Sequence, residues 1–291
     1  MRRGVCSKRS AGLVTLWLAA HALFADAALP DAINAVRLHG CAGHAGGHEP
    51  LRPARKLDEA ARRTAAGATL HDALRAAGYG AEESAAIHLA TPGGDSATVR
   101  VLAQHFCAQI TDPMEREIGV ARRGDDTWIV LGAPLETPGP RDAPSVSRRV
   151  LELVNEARGR PTRCGRQTFI ATTPLKLSVA LVNAALAHSL DMATRDYFDH
   201  AGPDGSTPAS RVTRAGYAWR AVGENLAAGV ATPDEAVAGW LQSAAHCQNL
   251  MDPRFTDMGV GYFVSPKDPS AIFWTQVFAQ ALPDSVTRTP Q

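Results

Sequence analysis

The sequence predicts an α+β fold, and predicts it twice within one chain. Three observations carry this. Stretches with helical spacing of apolar residues, at 178–195 and 232–241, precede two segments that alternate or run apolar as paired strands do, at 258–264 and 272–280. A set of landmarks recurs in the same order in both halves. Four cysteines fall two to each half once a basic, apolar leader is set aside. Helices grouped with an antiparallel sheet make a layered fold.

Taken in order, the chain opens on a leader. Arg2, Arg3, Lys8 and Arg9 form a basic head, residues 11–24 an apolar run, and Ala25-Asp26-Ala27 a small-residue cleavage site. This reads as a secretory signal peptide over 1–27, cut after Ala27. The apolar run is shorter than the roughly 20 residues a spanning helix needs, so no membrane span is expected after cleavage. Cys6 precedes the run, so it is no lipid-attachment cysteine. The whole chain has 291 residues, 45% apolar and 20% charged, which is a globular composition. Its formal charge is +1, and cutting the leader leaves 26 basic against 28 acidic residues. Neither balance makes a case for nucleic acid, membranes or polyanions. The expected location is secreted or periplasmic.

The repeat sets the domains. Cys107 leads to Asp112-Pro113 and Gly119-Val120 as Cys247 leads to Asp252-Pro253 and Gly259-Val260. Cys41 leads to Pro50-Leu51 and Leu57 as Cys164 leads to Pro174-Leu175 and Leu181. Ala77-Gly78-Tyr79 matches Ala215-Gly216-Tyr217, and each half ends in a strand-like segment holding a tryptophan, Trp128 and Trp274. The reading is a tandem duplication: a first copy over 31–135, a Pro-rich linker over 136–147, stiff and exposed, and a second copy over 148–282. Four cysteines in an oxidising compartment allow three pairings by count. The repeat selects Cys41–Cys107 and Cys164–Cys247, one bond within each copy.

In the second copy, 150–158 reads as a first helix, with Val150, Val154 and Ala157 on one side. Ser178 is placed to cap a second helix ending near Arg195, whose stripe is Leu181, Ala184, Ala185, His188 and Met192. His188 on that stripe reads as a hydrogen-bonded core histidine. A third helix runs from Thr207-Pro208 to Ala215 and stops at Gly216. Thr232 caps a fourth, with Ala236, Val237, Trp240 and Leu241 facing in. A turn at 265–269 separates the last two strands.

Three residues point to a polar site. His200 follows Tyr197-Phe198-Asp199 and precedes Gly202-Pro203-Asp204-Gly205, a turn that ends the helix. Glu224 sits between Gly223 and Asn225 in a run with neither helical nor strand periodicity, so a loop is expected. His246 is expected at the end of the fourth helix, its backbone held toward Cys164 by Cys247. The first copy lacks all three. Phe106 stands ahead of Cys107, Ile87 aligns with Glu224, and 14 residues are missing where His200 should be, since Leu57 to Gly78 spans 21 residues and Leu181 to Gly216 spans 35. A weaker signal, His39, His44 and His48, lies among Gly40, Gly43, Gly46 and Gly47, and reads as a flexible loop rather than a metal site.

The second copy resembles a CAP-superfamily (SCP) domain, the family of cysteine-rich secretory proteins, antigen 5 and pathogenesis-related 1 proteins, in its bacterial secreted branch. The residues that carry the resemblance run in family order over about 130 positions. They are 187–193, Tyr197-Phe198-Asp199-His200, Gly205-Ser206-Thr207-Pro208, 214–217, Gly223-Glu224-Asn225-Leu226, Trp240, His246, 255–261 and 274–278. The resemblance implies an α-β-α sandwich with a central cleft. It implies a cleft cluster of His200, Glu224 and His246, in which His200 and His246 can hold Zn²⁺ or another divalent cation. Many members add a second glutamate three residues after the helix tryptophan; here that position is Ser243. The first copy looks like a degenerate member of the same family.

Two imidazoles and a carboxylate suit a divalent cation, or acid/base work through a bound water. No nucleophile with an assigned partner emerges, and no Gly-x-Ser-x-Gly elbow exists. The leading expectation is a secreted binding protein for a lipid or other small hydrophobic molecule, or for an envelope or extracellular protein. The alternative is a metal-dependent envelope hydrolase acting on peptide or peptidoglycan-like bonds.

Overall fold

The computed structural model describes residues 29–282, so the leader expected over 1–27 lies outside the described residues. The first half runs α1 (Leu29–His39), β1 (Arg52–Pro53), α2 (Arg55–Ala65), α3 (Leu70–Ala76), β2 (Ala81–Ala90), α4 (Gly94–His105), α5 (Cys107–Ile110), β3 (Glu117–Arg123) and β4 (Asp126–Pro134). The second half opens with α6 (Ala143–Arg158), β5 (Thr162–Cys164), β6 (Gln167–Phe169), β7 (Lys176–Leu177) and α7 (Val179–Arg195). It continues with α8 (Pro208–Arg214), β8 (Trp219–Ala228), α9 (Pro233–Gln242), α10 (Ala244–Met251), β9 (Asp257–Val264) and β10 (Ile272–Ala281).

The main sheets have the orders β1-β3-β4-β2 and β7-β9-β10-β8. In each, a two-residue first strand runs parallel to its neighbour and the other pairs are antiparallel. Alternation along β9 and β10 sends Met258, Val260, Tyr262, Trp274 and Phe278 to one face, against α6 and α9. The other face meets Leu181, Ala184 and Ala185 of α7 and Val212 of α8 through Val277 and Ala279. The result is an α-β-α sandwich. Close approach of α7 to β9 needs Gly259, where a Cβ would collide with the backbone of Leu181; Gly119 stands in the same relation to Leu57, α2 and β3.

Buried polar side chains tie the loops down in matching ways. Arg158, fully buried, donates to the carbonyls of Thr173, Leu250, Asp252 and Phe255. Arg37 donates to those of Glu49, Ile110, Asp112 and Glu115. Asn155 and Leu175 exchange two hydrogen bonds, as do Asn34 and Leu51. The disulfides are Cys41–Cys107 and Cys164–Cys247.

Several expectations need correction. Glu224 is not in a loop but inside β8, and His246 is not at the end of α9 but on α10, because Ser243 takes an extended conformation between the two helices. Ser178 sits at the N-cap of α7 without a side-chain cap bond, whereas Thr207 and Thr232 do cap their helices. The linker is shorter than 136–147 and less exposed than expected: α6 begins at Ala143, and the Tyr262 hydroxyl donates to the Gly139 carbonyl at 2.6 Å. The segment around His44 is an ordered turn, with a Cys41–His44 bridge and His48 Nε2 at 3.1 Å from the Ala45 carbonyl. Register also moves one alignment by one residue. Gly119 pairs with Val130 and Gly259 with Val277, so Ala86, not Ile87, takes the place of Glu224.

Candidate functional site

β8 is the edge strand of its sheet, and its Glu224, Asn225 and Leu226 are all buried. Elements fold over both faces there, so the polar-apolar alternation of a half-exposed strand is missing. Glu224 pairs with Val277 and points to the α7–α8 side; Asn225 pairs with Gln276 and points to the α10 side. The loop between α7 and α8 brings His200, α8 brings Arg211 and α10 brings His246 to this edge.

Glu224, its side chain only 2% exposed, is held by two partners. His200 Nδ1 lies 2.9 Å from its Oε1, and Arg211 Nη2 donates to Oε1 at 3.1 Å and Oε2 at 2.9 Å. The same Nη2 donates to the His200 carbonyl at 2.8 Å, while Nη1 reaches Ser206 O at 3.3 Å and Ser206 Oγ at 3.4 Å. Charge-assisted bonds of this kind make burial of a carboxylate tolerable. On the other side, Asn225 Nδ2 donates to the His246 carbonyl at 3.1 Å and Asn249 Nδ2 to the Glu224 carbonyl at 3.1 Å, which fixes α10 against β8. His188 is buried, with Nε2 at 2.9 Å from the Asp199 carbonyl, as a core histidine should be.

The two cleft imidazoles sit in opposite electrostatic environments. The hydrogen bond to Glu224 raises the His200 pKa above the ordinary histidine value, and its side chain is 53% exposed. Burial lowers the His246 pKa, and the neighbouring charge of His200 lowers it further. A proton in the cleft therefore resides on His200.

As a cation site the set is incomplete. Both oxygens of Glu224 accept from Arg211, and among the described residues no group of three or more His, Cys, Asp or Glu side chains lies close enough to hold an ion together. What remains is two imidazoles, with water left to complete any shell.

Arg211 is the member that sequence reasoning missed. A signal was present in the repeat: five residues ahead of each Gly-Tyr pair stand Ala73 in the first half and Arg211 in the second. Each of these residues accepts the amide at the end of its short helix, Ala77 N to Ala73 O and Ala215 N to Arg211 O. By sequence offset and strand register, Ala73, Ala86 and Phe106 stand where Arg211, Glu224 and His246 stand in the second half.

Comparison with known proteins fits this geometry. Residues 151–278 match the family model for the cysteine-rich secretory protein family, CAP. The uncharacterized protein YkwD of Bacillus subtilis is 33% identical over 142 residues, 49% of this chain and 50% of YkwD. The uncharacterized membrane protein YlbC of the same organism is 32% identical over 77 residues, 26% of this chain and 22% of YlbC. The chain therefore spans half, or less, of the curated relatives it matches. An extracellular SCP-domain protein from Bacillus anthracis overlays at 22% identity with a TM-score of 0.41, covering 58% of this chain and 61% of that one. The segment 151–278, with its sandwich and with His200 and His246 brought to the edge strand that carries Glu224, is thus similar to the cysteine-rich secretory protein (CAP) family.

Proposed function

We propose that this is a secreted CAP-domain protein that binds a small hydrophobic molecule, such as a single lipid chain. One observation carries the reading. A cavity of about 350 Å³ lies between the linker and the second half, walled by Pro138, Pro140, Val182, Leu186, Tyr262 and Val264. Its single phenol is already engaged with Gly139, and burial pushes that hydroxyl up to about 12. An apolar cavity of this size gains affinity by taking a hydrocarbon ligand out of water. Leu186 and Leu190, both about 40% exposed on α7, continue the apolar surface outward. The His/Glu cleft is too polar for that role, and the reading gives it a weak, exchangeable divalent cation on His200 and His246.

The first half is proposed to be a degenerate copy of the CAP unit acting as a structural or partner-contacting module. Its sheet order, disulfide and buried arginine support a common origin, and Ala73, Ala86 and Phe106 leave it no counterpart of the Arg211–Glu224–His246 set among the described residues. Export is supported by the leader-like residues 1–27 and by two disulfides, which persist in oxidising compartments.

A fluorescent fatty-acid probe tests the ligand. Saturable binding to the full chain that falls at least about ten-fold in Leu186→Arg is expected, a loss of ~1.4 kcal/mol or more. Failure of the unmodified protein to bind any single-chain amphiphile would remove the reading. For the cation, calorimetry with Zn²⁺ should show weak binding that His200→Ala and His246→Ala each abolish.

A further inference from the structure

Glu115, in the turn between α5 and β3, is a buried acid with nothing to hold its charge. The residue is 4% exposed, and its Oε2 is buried without a hydrogen-bond partner among the described residues. Its backbone is fixed, because the Glu115 carbonyl accepts from Arg37 Nη2 at 3.0 Å as the Phe255 carbonyl accepts from Arg158 Nη2 in the second half. Glu115 and Phe255 also stand at the same offset from Cys107 and Cys247. Phe255 is buried and stacks on Phe278 with ring centroids 5.5 Å apart. The first half thus puts a carboxyl where the second half puts an aromatic ring.

The surroundings supply little counter-charge. Asp112 on the same turn and Glu83 on β2 act on Glu115 as like charges, and α1 contributes one cation, Arg37. Four of the five Arg37 N–H groups already go to the carbonyls of Glu49, Ile110, Asp112 and Glu115. Arg116, next in sequence, turns its guanidinium to Glu82, Glu136 and the Pro134 carbonyl. Tyr79, whose hydroxyl is also buried and unpaired, is the remaining titratable group that feels the Glu115 charge. Burial, and then repulsion from Asp112 and Glu83, push the Glu115 carboxyl up to about 7. A buried carboxylate without a partner is costly, so the closed turn favours the neutral acid.

We infer that the α5–β3 turn of the first half, residues 111–116, is a pH-responsive latch, closed over a protonated Glu115 and loosened when that carboxyl ionises. Linkage fixes the sign. The folded-state carboxyl titrates above the unfolded value of roughly 4.3, so its contribution is full below that value and is lost as pH rises through about 7. Loosening is felt on several sides of the turn. Arg37 ties it to α1, the Arg116 amide donates to the Gly132 carbonyl of β4, and the Arg116 guanidinium faces Glu136 of the linker.

The test follows the full chain by NMR. The side-chain carboxyl carbon of Glu115 should titrate with a midpoint of about 7. Protection of the Arg116 amide against hydrogen exchange, corrected for the intrinsic pH dependence of exchange, should fall at least about ten-fold between about pH 5 and about pH 9. Glu115→Gln keeps the shape without the charge, and Glu115→Phe installs the side chain that the second half carries at this place. Each should hold Arg116 protection constant over that range, and the phenylalanine variant serves alone if the glutamine variant folds poorly. A Glu115 midpoint in the ordinary carboxylate range, protection that does not fall in the unmodified chain, or a fall of the same size in either folded variant would overturn the latch.

Discussion

Glu224 has 2% of its side chain exposed, and its ionised form is tolerable because Arg211 and His200 bond to it, with His188 Nε2 a further 3.9 Å neighbour of Oε1. Removing one partner of such a buried pair costs about 3–5 kcal/mol, because the other charge is left stranded. Arg211→Ala should therefore lower urea stability of the second half by that amount. The first half holds Ala73 and Ala86 at these places, so the Arg211→Ala, Glu224→Ala double variant should lose much less than the sum of the single losses. A double-mutant cycle checks it; simple additivity would count against coupling. Proton placement is the second prediction at this scale. The folded pKa of His200 is raised, so its stabilising contribution is full below the unfolded value of roughly 6.5 and is lost as pH rises through the folded pKa. That of His246 is lowered, so its contribution is present above the unfolded value and is lost as pH falls through the folded pKa. NMR titration should find the His200 midpoint above the ordinary value and that of His246 below it. His200, Glu224 and His246 were legible in the sequence because the first half lacks them. Arg211 was missed although the first half holds Ala73 at its offset, since an arginine beside a valine on a short helix looks like any solvent-facing cation until the carboxylate it meets is known.

At the scale of elements, end signals were more legible than interiors. Thr232 and Thr207 mark the starts of α9 and α8 by hydroxyls that accept from the third residue on, Glu235 and Ser210. The Glu235 side chain in turn accepts from the Thr232 amide at 3.0 Å. Thr232→Ala should cost about 1 kcal/mol in chemical denaturation, while Ser178→Ala, at a cap without a side-chain bond, should be close to neutral. A comparable loss in both variants would show that cap geometry is not what the threonine supplies. β8 was illegible for a different reason: its middle is covered on both faces, so polar Glu224 and Asn225 interrupt a strand whose polar groups are all paired inside. The missing 14 residues of the first half also resolve at this scale. α2 is six residues shorter than α7, 11 against 17, and the loop after it, 66–69 against 196–207, is eight shorter. The difference in length thus falls on the end of the helix together with the loop that carries His200.

Across the whole molecule, the halves keep their apolar cores apart. Every apolar cluster among the described residues draws either on residues up to Trp128, Val130 or Leu131, or on residues from Ala143 onward, and none spans both halves. Where the halves face each other, Gly80 packs against Pro269 and an adjoining stretch is polar and open. A cavity of about 500 Å³ there is bordered by Glu82, Arg116 and Glu136 from one side and by Thr232 and Glu235 from the other. Contacts of this kind resemble a transient interface and couple unfolding weakly. Each disulfide joins cysteines of one half, 66 and 83 residues apart, and by the chain-entropy account contributes roughly 4 kcal/mol to that half alone. Paired Cys164→Ala, Cys247→Ala substitution should therefore move the unfolding of the second half to lower denaturant and leave the first half where it was. Tryptophan position makes the two separable, because Trp128 reports on the first half while Trp219, Trp240 and Trp274 report on the second. In a chain starting at residue 28, which lacks Trp17, a Trp128→Phe background should give fluorescence that follows only the shifted transition, and replacing Trp219, Trp240 and Trp274 instead should leave only the unshifted one. A single transition displaced equally in both backgrounds would mean that the halves fold as one cooperative unit.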